Sequence, residues 1–390
     1  MFLMAVLNKI IRVATVPLSL NILLRNQFKF LRKYYHVVAI SSPGEDLFEV
    51  GTRENVDIKG IEIKRKISII NDITALYKLY VYFRKEKPLI VHSITPKAGL
   101  LSMMAAKLAG IPIRMHTFTG LIFPTSTGAM KHLLIWMDRL LCYCATNIYP
   151  EGQGVRNDLV KYNITKKPLK ILANGNVNGI DLTFFDPSIF SEEDKLSLKE
   201  KLAILPHNFV FIFIGRLVKD KGINELIHAF KKLSSSKAKL LLVGSLEPDH
   251  GLEDNTLHEI KNNPDIISVG FQKDVRLFLA ISDALVFPSY REGFPNVVMQ
   301  AGAMGLPSIV TDINGSNEII IHNENGIIIP PKNDLFLYES MVMVSKDHAL
   351  REKLKRNARQ MIADRYQQSV VLNALLEEYK NLEKNVQKFS

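Results

Sequence analysis

Glu292, Arg216, Lys221 and His116 are the side chains whose types and positions could do chemistry. Glu292 follows an apolar run at 284–287 and a turn-forming Pro288 and Ser289, and it precedes Gly293, Phe294, Pro295 and Asn296. This pattern reads as a buried strand delivering a carboxylate to a loop. Pro295 suits a first helical position, where its missing N–H costs nothing, so a short helix is expected over 296–302. The free amides of such a helix start favour phosphate or another anion. A second apolar run, 308–310, ends in Thr311, Asp312 and a polar turn at Asn314 and Gly315. Two strand ends and one helix start are therefore expected to converge on one polar crevice.

The cations sit behind a different strand. Residues 209–214 read as a strand that ends in Gly215 and Arg216, with Lys221 and Gly222 just ahead of a helical stretch. Ligands of open α/β sheets bind at the carboxyl ends of strands, where two such cations can neutralise a diphosphate. Gly244 and the pair Gly270 and Phe271 each follow a further strand, and glycine lets a ligand approach the backbone closely. Earlier in the chain, His116 is read at a strand end and Lys97 at a helix start. For Lys97 an acceptor phosphate contact and an exposed capping role both stay open.

The elements that must position these residues alternate. Apolar runs at 10–16, 36–41, 89–93, 113–118 and 147–150 read as strands, and amphipathic stretches near 20–33, 72–85, 97–109, 130–144 and 154–162 read as helices. A second series of strands begins at Phe209. Such alternation predicts parallel sheets covered on both faces, hence an α/β chain of two doubly wound domains. A turn rich in glycine and asparagine between 170 and 182 marks the boundary: residues 1–180 form the first domain and 181–365 the second, and a last helix is read over 366–390.

Composition limits the function classes. With 390 residues, 47% hydrophobic and 23% charged, the chain can bury two cores and is not of disordered or fibrous type. A formal charge of +11 suits anionic partners. Nucleic acid is not expected among them, since no basic stretch with interleaved aromatics accompanies a known motif. The two cysteines, Cys142 and Cys144, lack the partners of a zinc site, and no Asp-x-Asp or His/Asp cluster suggests a metal. The apolar start contains Lys9 and Arg12 and has no apolar span of about 18 residues, so neither a membrane-crossing helix nor a signal peptide is expected. Residues 2–7 have no assigned role.

The ordered sequence of strand, Glu292 to Asn296, the small-residue helix 301–305, Pro307, strand and Gly315 to Glu318 resembles the nucleotide-sugar site of the family 4 retaining glycosyltransferases. Their pattern is a Glu, seven residues and a second Glu; here Glu292 fits and Gln300 holds the second position. The resemblance implies two Rossmann-like domains facing a cleft (the GT-B fold), with a last helix that crosses back to the first domain. It implies a diphosphate clamp of Arg216 and Lys221, with helix-start amides near Gly293, Phe294, Pro295 and Asn296. Gly215, Gly244 and Phe271 would line the nucleotide, and Gln300 the ribose. Glu292 would hold sugar hydroxyls and His116 the donor sugar.

The reaction so implied needs no cofactor and no metal. A hexose or N-acetylhexosamine passes from a nucleotide sugar, UDP-linked, to a polyprenyl-diphosphate-linked glycan of the capsule or O-antigen type. Attack comes on the face from which the nucleotide departs, and the leaving phosphate takes the acceptor proton. The protein would be cytoplasmic and peripheral, held to an anionic membrane surface by the basic segments 26–35 and 59–67. The alternatives are a nucleotide-sugar 2-epimerase and a catalytically silent relative that only binds.

Overall fold

A computed structural model of the chain describes residues 7–65, 67–233, 237–248 and 250–387. Residues 2–6 of the apolar start and Lys66 of the second basic segment lie outside the described residues. The chain divides into two compact units, one of residues 1–179 with 368–390 and the other of residues 180–367.

In the first unit β1 (Lys9–Val13), β2 (His36–Ser41), β3 (Asp57–Gly60), β4 (Ile90–Ser93), β5 (Ile113–Phe118) and β6 (Asn147–Pro150) form one parallel sheet in the order β3-β2-β1-β4-β5-β6. Successive side chains of a strand face opposite sides. Accordingly Ile11, Val13, Val38, Ile40 and Val91 enter one core, while Ile10, Val37, Ala39 and Ile90 enter another. Both faces are covered, which is why these strands read as unbroken apolar runs. The last helix, Gln368–Gln387, belongs to this unit, and its Leu375, Leu376 and Tyr379 pack in the second of those cores. The return of the chain to the first unit is thus as expected.

Three local features depart from the reading above. The stretch 20–33 is two helices, Pro17–Leu23 and Gln27–Leu31, because Asn26 between them adopts φ 66°. Asparagine visits this left-handed region more readily than most residues. The short helix Gln27–Leu31 also turns its apolar residues inward: Phe28 and Leu31 are fully buried and Tyr35 nearly so. Of this segment Phe28, Leu31 and Tyr35 are thus taken up by the core, while Phe30 is half-buried and Tyr34 is 39% exposed. Finally, β3 was not expected, since it is a four-residue edge strand of largely exposed residues without an apolar run.

The second unit repeats the topology with β7 (Phe209–Ile214), β8 (Ala238–Val243), β9 (Ile266–Ser268), β10 (Ala284–Phe287), β11 (Ser308–Thr311) and β12 (Gly326–Ile329). Its parallel order, β12-β11-β10-β7-β8-β9, is that of the first sheet with the strands counted anew. Each sheet reverses direction once. The reversal lies between β1 and β4 in the first unit and between β7 and β10 in the second, and doubly wound sheets bind ligands outside the strand ends at such points. Tyr366 closes the second unit: its carbonyl accepts from Ile180 N at 2.8 Å, and its hydroxyl donates to Glu318 O at 2.9 Å.

Candidate active site

In the second unit β7 and β10 are paired neighbours, Phe211 opposite Ala284 and Ile212 opposite Leu285. The loops that leave them must therefore meet. Tyr290 N donates to Asp220 O at 2.9 Å, and Ser289 Oγ to the same carbonyl at 3.3 Å. Gly222 makes the approach possible: its φ is +71°, and a Cβ there would stand 2.1 Å from the Pro288 carbonyl oxygen. No other residue fits that turn without moving the backbone.

The approach brings Lys221 Nζ onto Glu292 Oε1. Ser289 Oγ donates to the same carboxylate oxygen at 2.8 Å, and the Lys221 ammonium also lies 5.3 Å from the Phe287 ring centre. The two charged side chains are only 19% and 16% exposed. An ammonium has three N–H groups, so Lys221 can stay on Glu292 and still offer donors to a ligand. Arg216 contrasts with it. Its side chain is exposed, and among the described residues it has no hydrogen-bond or ion-pair partner. The switch point of this sheet thus offers one anchored cation and one open one.

The third strand end closes the site from the other side. Thr311 Oγ1 donates to Ser289 O, and Gly315, at φ +76°, lies so near Gly293 that a Cβ would be 2.4 Å from its carbonyl oxygen. The helix runs Asn296–Ala303 with Pro295 as its N-cap, one position earlier than expected for Pro295. Its residues Val298, Met299, Ala301, Gly302 and Ala303 are buried, which leaves Asn296, Val297 and Gln300 on the half-buried side. Phe294 turns its side chain away from the crevice. Its ring is 6% exposed and packs against Tyr366 with centres 5.3 Å apart, so only its backbone can serve a ligand. Gly215 N donates to Val243 O and Gly244 N to Gly270 O, each at 2.9 Å, which extends the ladder past the strands. Beyond it stand Leu246 and Phe271, 50% and 60% exposed.

The first unit has a different strand-end edge. His116 lies inside β5, not at its end, and is 1% exposed. Its Nδ1 shares a hydrogen bond of 2.8 Å with Ser93 Oγ, and its ring meets Phe118 edge-on with centres 4.5 Å apart. Gly99 leaves room for the ring, since a Cβ there would be 2.4 Å from Cε1. Burial pushes the imidazole pKa down to about 3. The expectation that His116 contacts the donor sugar is therefore corrected: it is a neutral packing residue, and the residue leaving the strand is Thr119, whose hydroxyl donates to Ile94 O at 2.9 Å.

The start of helix Pro96–Leu108 is also occupied. Thr15 Oγ1 accepts from Ala98 N at 3.2 Å and shares a 2.8 Å hydrogen bond with Thr95 Oγ1. Lys97 is not an exposed cap: its side chain is 11% exposed and pairs with Asp72 at 2.7 Å. Deeper in the sheet His92 bonds Thr117 Oγ1 at 2.8 Å and the Tyr379 hydroxyl at 2.7 Å. Burial first, then the Arg12 charge, holds it well below the usual histidine range.

Comparison with known proteins decides the family. The family model described as glycosyl transferases group 1 matches residues 194–361, and the one described as glycosyl transferase 4-like matches residues 12–151. The capsular polysaccharide biosynthesis glycosyltransferase CapM of Staphylococcus aureus is 33% identical over 373 residues, covering 94% of this chain and 96% of that one. The chain belongs to glycosyltransferase family 4. This family 4 glycosyltransferase is also 31% identical over 306 residues to the UDP-Gal:alpha-D-GlcNAc-diphosphoundecaprenol alpha-1,3-galactosyltransferase of Escherichia coli, covering 77% of each chain. Its fold matches the structure of Anabaena HepE in complex with UDP and glucose at a TM-score of 0.81, over 96% of this chain and 100% of that one, at 17% identity.

For a family 4 glycosyltransferase the sequence reading missed Ser289, Asp220 and Thr311, which fix the Lys221 and Glu292 pair. Ser289 reads as a turn former, and only the approach of the two loops reveals that its hydroxyl reaches Glu292.

Proposed function

We propose that this glycosyltransferase moves a hexosyl or N-acetylhexosaminyl group from a UDP-sugar to a polyprenyl-diphosphate-linked glycan, in the assembly of a bacterial surface polysaccharide. The observation that carries the reading is the Lys221–Glu292 pair beside the open Arg216, at the reversal of strand order in the second sheet. The E. coli relative supports the choice of substrates by its name, which gives UDP-Gal as donor and a diphosphoundecaprenol sugar as acceptor.

In this reading Arg216 meets the diphosphate first and Lys221 holds it against the helix start at Asn296. Charge that develops on the departing UDP then falls on donors already in position, and such preorganised contacts stabilise a transition state most. Glu292, held by Lys221 and Ser289, keeps one oxygen lobe for sugar hydroxyls. Gln300 lies about one helical turn on from Asn296 and offers its amide to the ribose; an amide can accept and donate without a charge. The acceptor hydroxyl attacks the anomeric carbon on the face that UDP leaves, the bond to the UDP oxygen breaks, and the departing phosphate takes the proton. No metal is needed, because Arg216 and Lys221 supply the positive charge.

Among the described residues no helix is long and apolar enough to cross a membrane. With a formal charge of +11, we place the protein at the cytoplasmic face of the membrane as a peripheral enzyme. The test is incubation with a panel of labelled nucleotide sugars and polyprenyl-diphosphate sugars in the presence of a chelator. Transfer from a UDP-sugar supports the reading. Isomerisation without acceptor, or saturable binding without turnover, overturns it.

A further inference from the structure

The face of the first sheet that the last helix covers carries a row of polar residues among apolar ones. Arg12 of β1 stands opposite His92 of β4, and Thr117 of β5 stands opposite Tyr149 of β6. Side chains two apart on a strand share a face, so this row lies beside Ile10, Ile90 and Met115 in the core that receives Leu375 and Tyr379. Arg12 is 1% exposed. Its Nη1 donates to His92 Nδ1 and, at 2.9 Å, to the Tyr379 hydroxyl. Among the described residues it pairs with no carboxylate, and its Nε–H has no acceptor. A buried charge so placed is costly unless something compensates it.

Because His92 Nδ1 accepts from Arg12, His92 Nε2 carries the hydrogen and donates to Thr117 Oγ1 at 2.8 Å. The Thr117 hydroxyl keeps its own hydrogen, and among the described residues no acceptor receives it. Arg12 and Thr117 both line a cavity of about 20 Å³, and Glu151 and Asn176 line it too. Glu151 is buried, and its Oε1 accepts from Asn176 Nδ2 at 3.4 Å. A carboxylate has about four lone-pair sites, so it can accept further donors. A water needs roughly 10 to 15 Å³ of such room and makes about three hydrogen bonds when buried. A sugar or any other organic ligand is far too large. A halide would suit Arg12 and Thr117 but meet the charge of Glu151, and a cation would meet that of Arg12. Water suits all three, since it accepts two hydrogens and donates two.

We propose that this cavity is a built site for one structural water, which accepts from Arg12 Nε and the Thr117 hydroxyl and donates to the Glu151 carboxylate. A buried guanidinium and a buried carboxylate from opposite sides of β4 and β5 are then paired through it. Glu151 directly follows β6, and its carbonyl accepts from Asn176 N at 2.7 Å. The water therefore joins the middle of the sheet to the stretch that leads toward the domain boundary, beneath Val371 and Leu375 of the last helix.

The first test is a crystal structure of the full chain at a resolution that shows ordered water, from crystals soaked in sodium bromide. One density peak should stand within hydrogen-bond distance of Arg12 Nε, Thr117 Oγ1 and a Glu151 oxygen, with no anomalous signal from bromine. A bromine signal there would make the cavity an anion site and overturn the proposal. A cavity without a peak, or a Glu151 oxygen bonded directly to Arg12 Nε, would overturn it as well. The second test is urea unfolding of Arg12→Met, Glu151→Gln and the double variant. Each single change leaves one buried charge without its complement. The loss of folding constant in the double variant should therefore fall short of the product of the single losses by about fivefold or more. Losses that simply multiply would overturn the pairing. Should Arg12→Met fail to fold, as judged by circular dichroism, Thr117→Val replaces it in the same cycle, with a shortfall again expected and simple multiplication again contradicting the water.

Discussion

The two sheets share one strand order, yet their switch points are built for different ends. In the second unit the loops after β7 and β10 leave charge at the crevice: Arg216 is open, and Lys221 is held on Glu292 with Ser289 beneath them. In the first unit the loops after β1 and β4 close on each other through Thr15 and Thr95, and the helix start behind them is already capped by the Thr15 hydroxyl. Two histidines of that sheet, His92 and His116, are buried, and burial holds both imidazoles below the usual histidine range. A fold repeated within one chain therefore does not repeat its chemistry. What differs is which residues the loops leave unsatisfied.

The comparison breaks most visibly if both cations are removed. Arg216→Ala combined with Lys221→Ala should lower kcat by more than about three powers of ten at saturating donor, since each preorganised charge contact is worth about two to three. The combined loss should fall short of the sum of the single ones, because both act on one leaving group. A transfer assay with labelled UDP-sugar reads this.

The next effect is on the backbone that joins the loops. Gly222→Ala forces a side chain onto φ +71° and into the Pro288 carbonyl. The strain alone costs about 1 to 3 kcal/mol, to be read as a lower midpoint in urea unfolding. Lys221 moves with the turn, so kcat should fall as well. An unchanged midpoint would mean that the two loops do not abut as described.

The buried histidines sharpen the contrast through pH. His116 has a folded pKa of about 3, below its unfolded value of about 6.5. Its contribution to stability is complete above the unfolded value and is lost as pH falls from there toward 3, with a slope of up to about 1.4 kcal/mol per pH unit. His92 acts with the same sign. Urea unfolding between pH 7 and 4 should show this loss, and His116→Gln should reduce its slope. The kcat profile near neutral pH should carry no step that His116→Gln removes.

Much of this arrangement could be read in the residue order. Continuous apolar strands, the Gly215 to Lys221 loop and the Glu292 loop were visible because burial on both faces and turn chemistry leave local marks. Other parts leave none. β3 has no apolar run, and Asn26 breaks a helix by a backbone angle that an apolar period does not show. His116 belongs to a strand of the right kind, yet its depth is set by Gly99 and Ser93 from neighbouring elements. Phe294 likewise turns inward because Tyr366, far along the chain, receives it.

The smallest effect concerns the position where the family pattern is broken. Gln300→Ala should raise the donor KM by about fivefold with kcat unchanged, as for a contact made equally in ground and transition states. Gln300→Glu should preserve transfer. Steady-state kinetics against donor concentration separate the two parameters, and a KM at the wild-type value would remove Gln300 from the site.

The most direct measurement sets the two switch points side by side: kcat at saturating UDP-sugar and acceptor for Lys221→Ala, Arg216→Ala and Thr15→Ala. The account predicts a loss of about two to three powers of ten for each cation variant. Thr15→Ala should stay within a few fold of the wild type, because among the described residues its hydroxyl bonds the helix start and Thr95. Near-normal turnover in Lys221→Ala and Arg216→Ala, or a loss of the same size in Thr15→Ala, would contradict the placement of the leaving-group chemistry in the second unit.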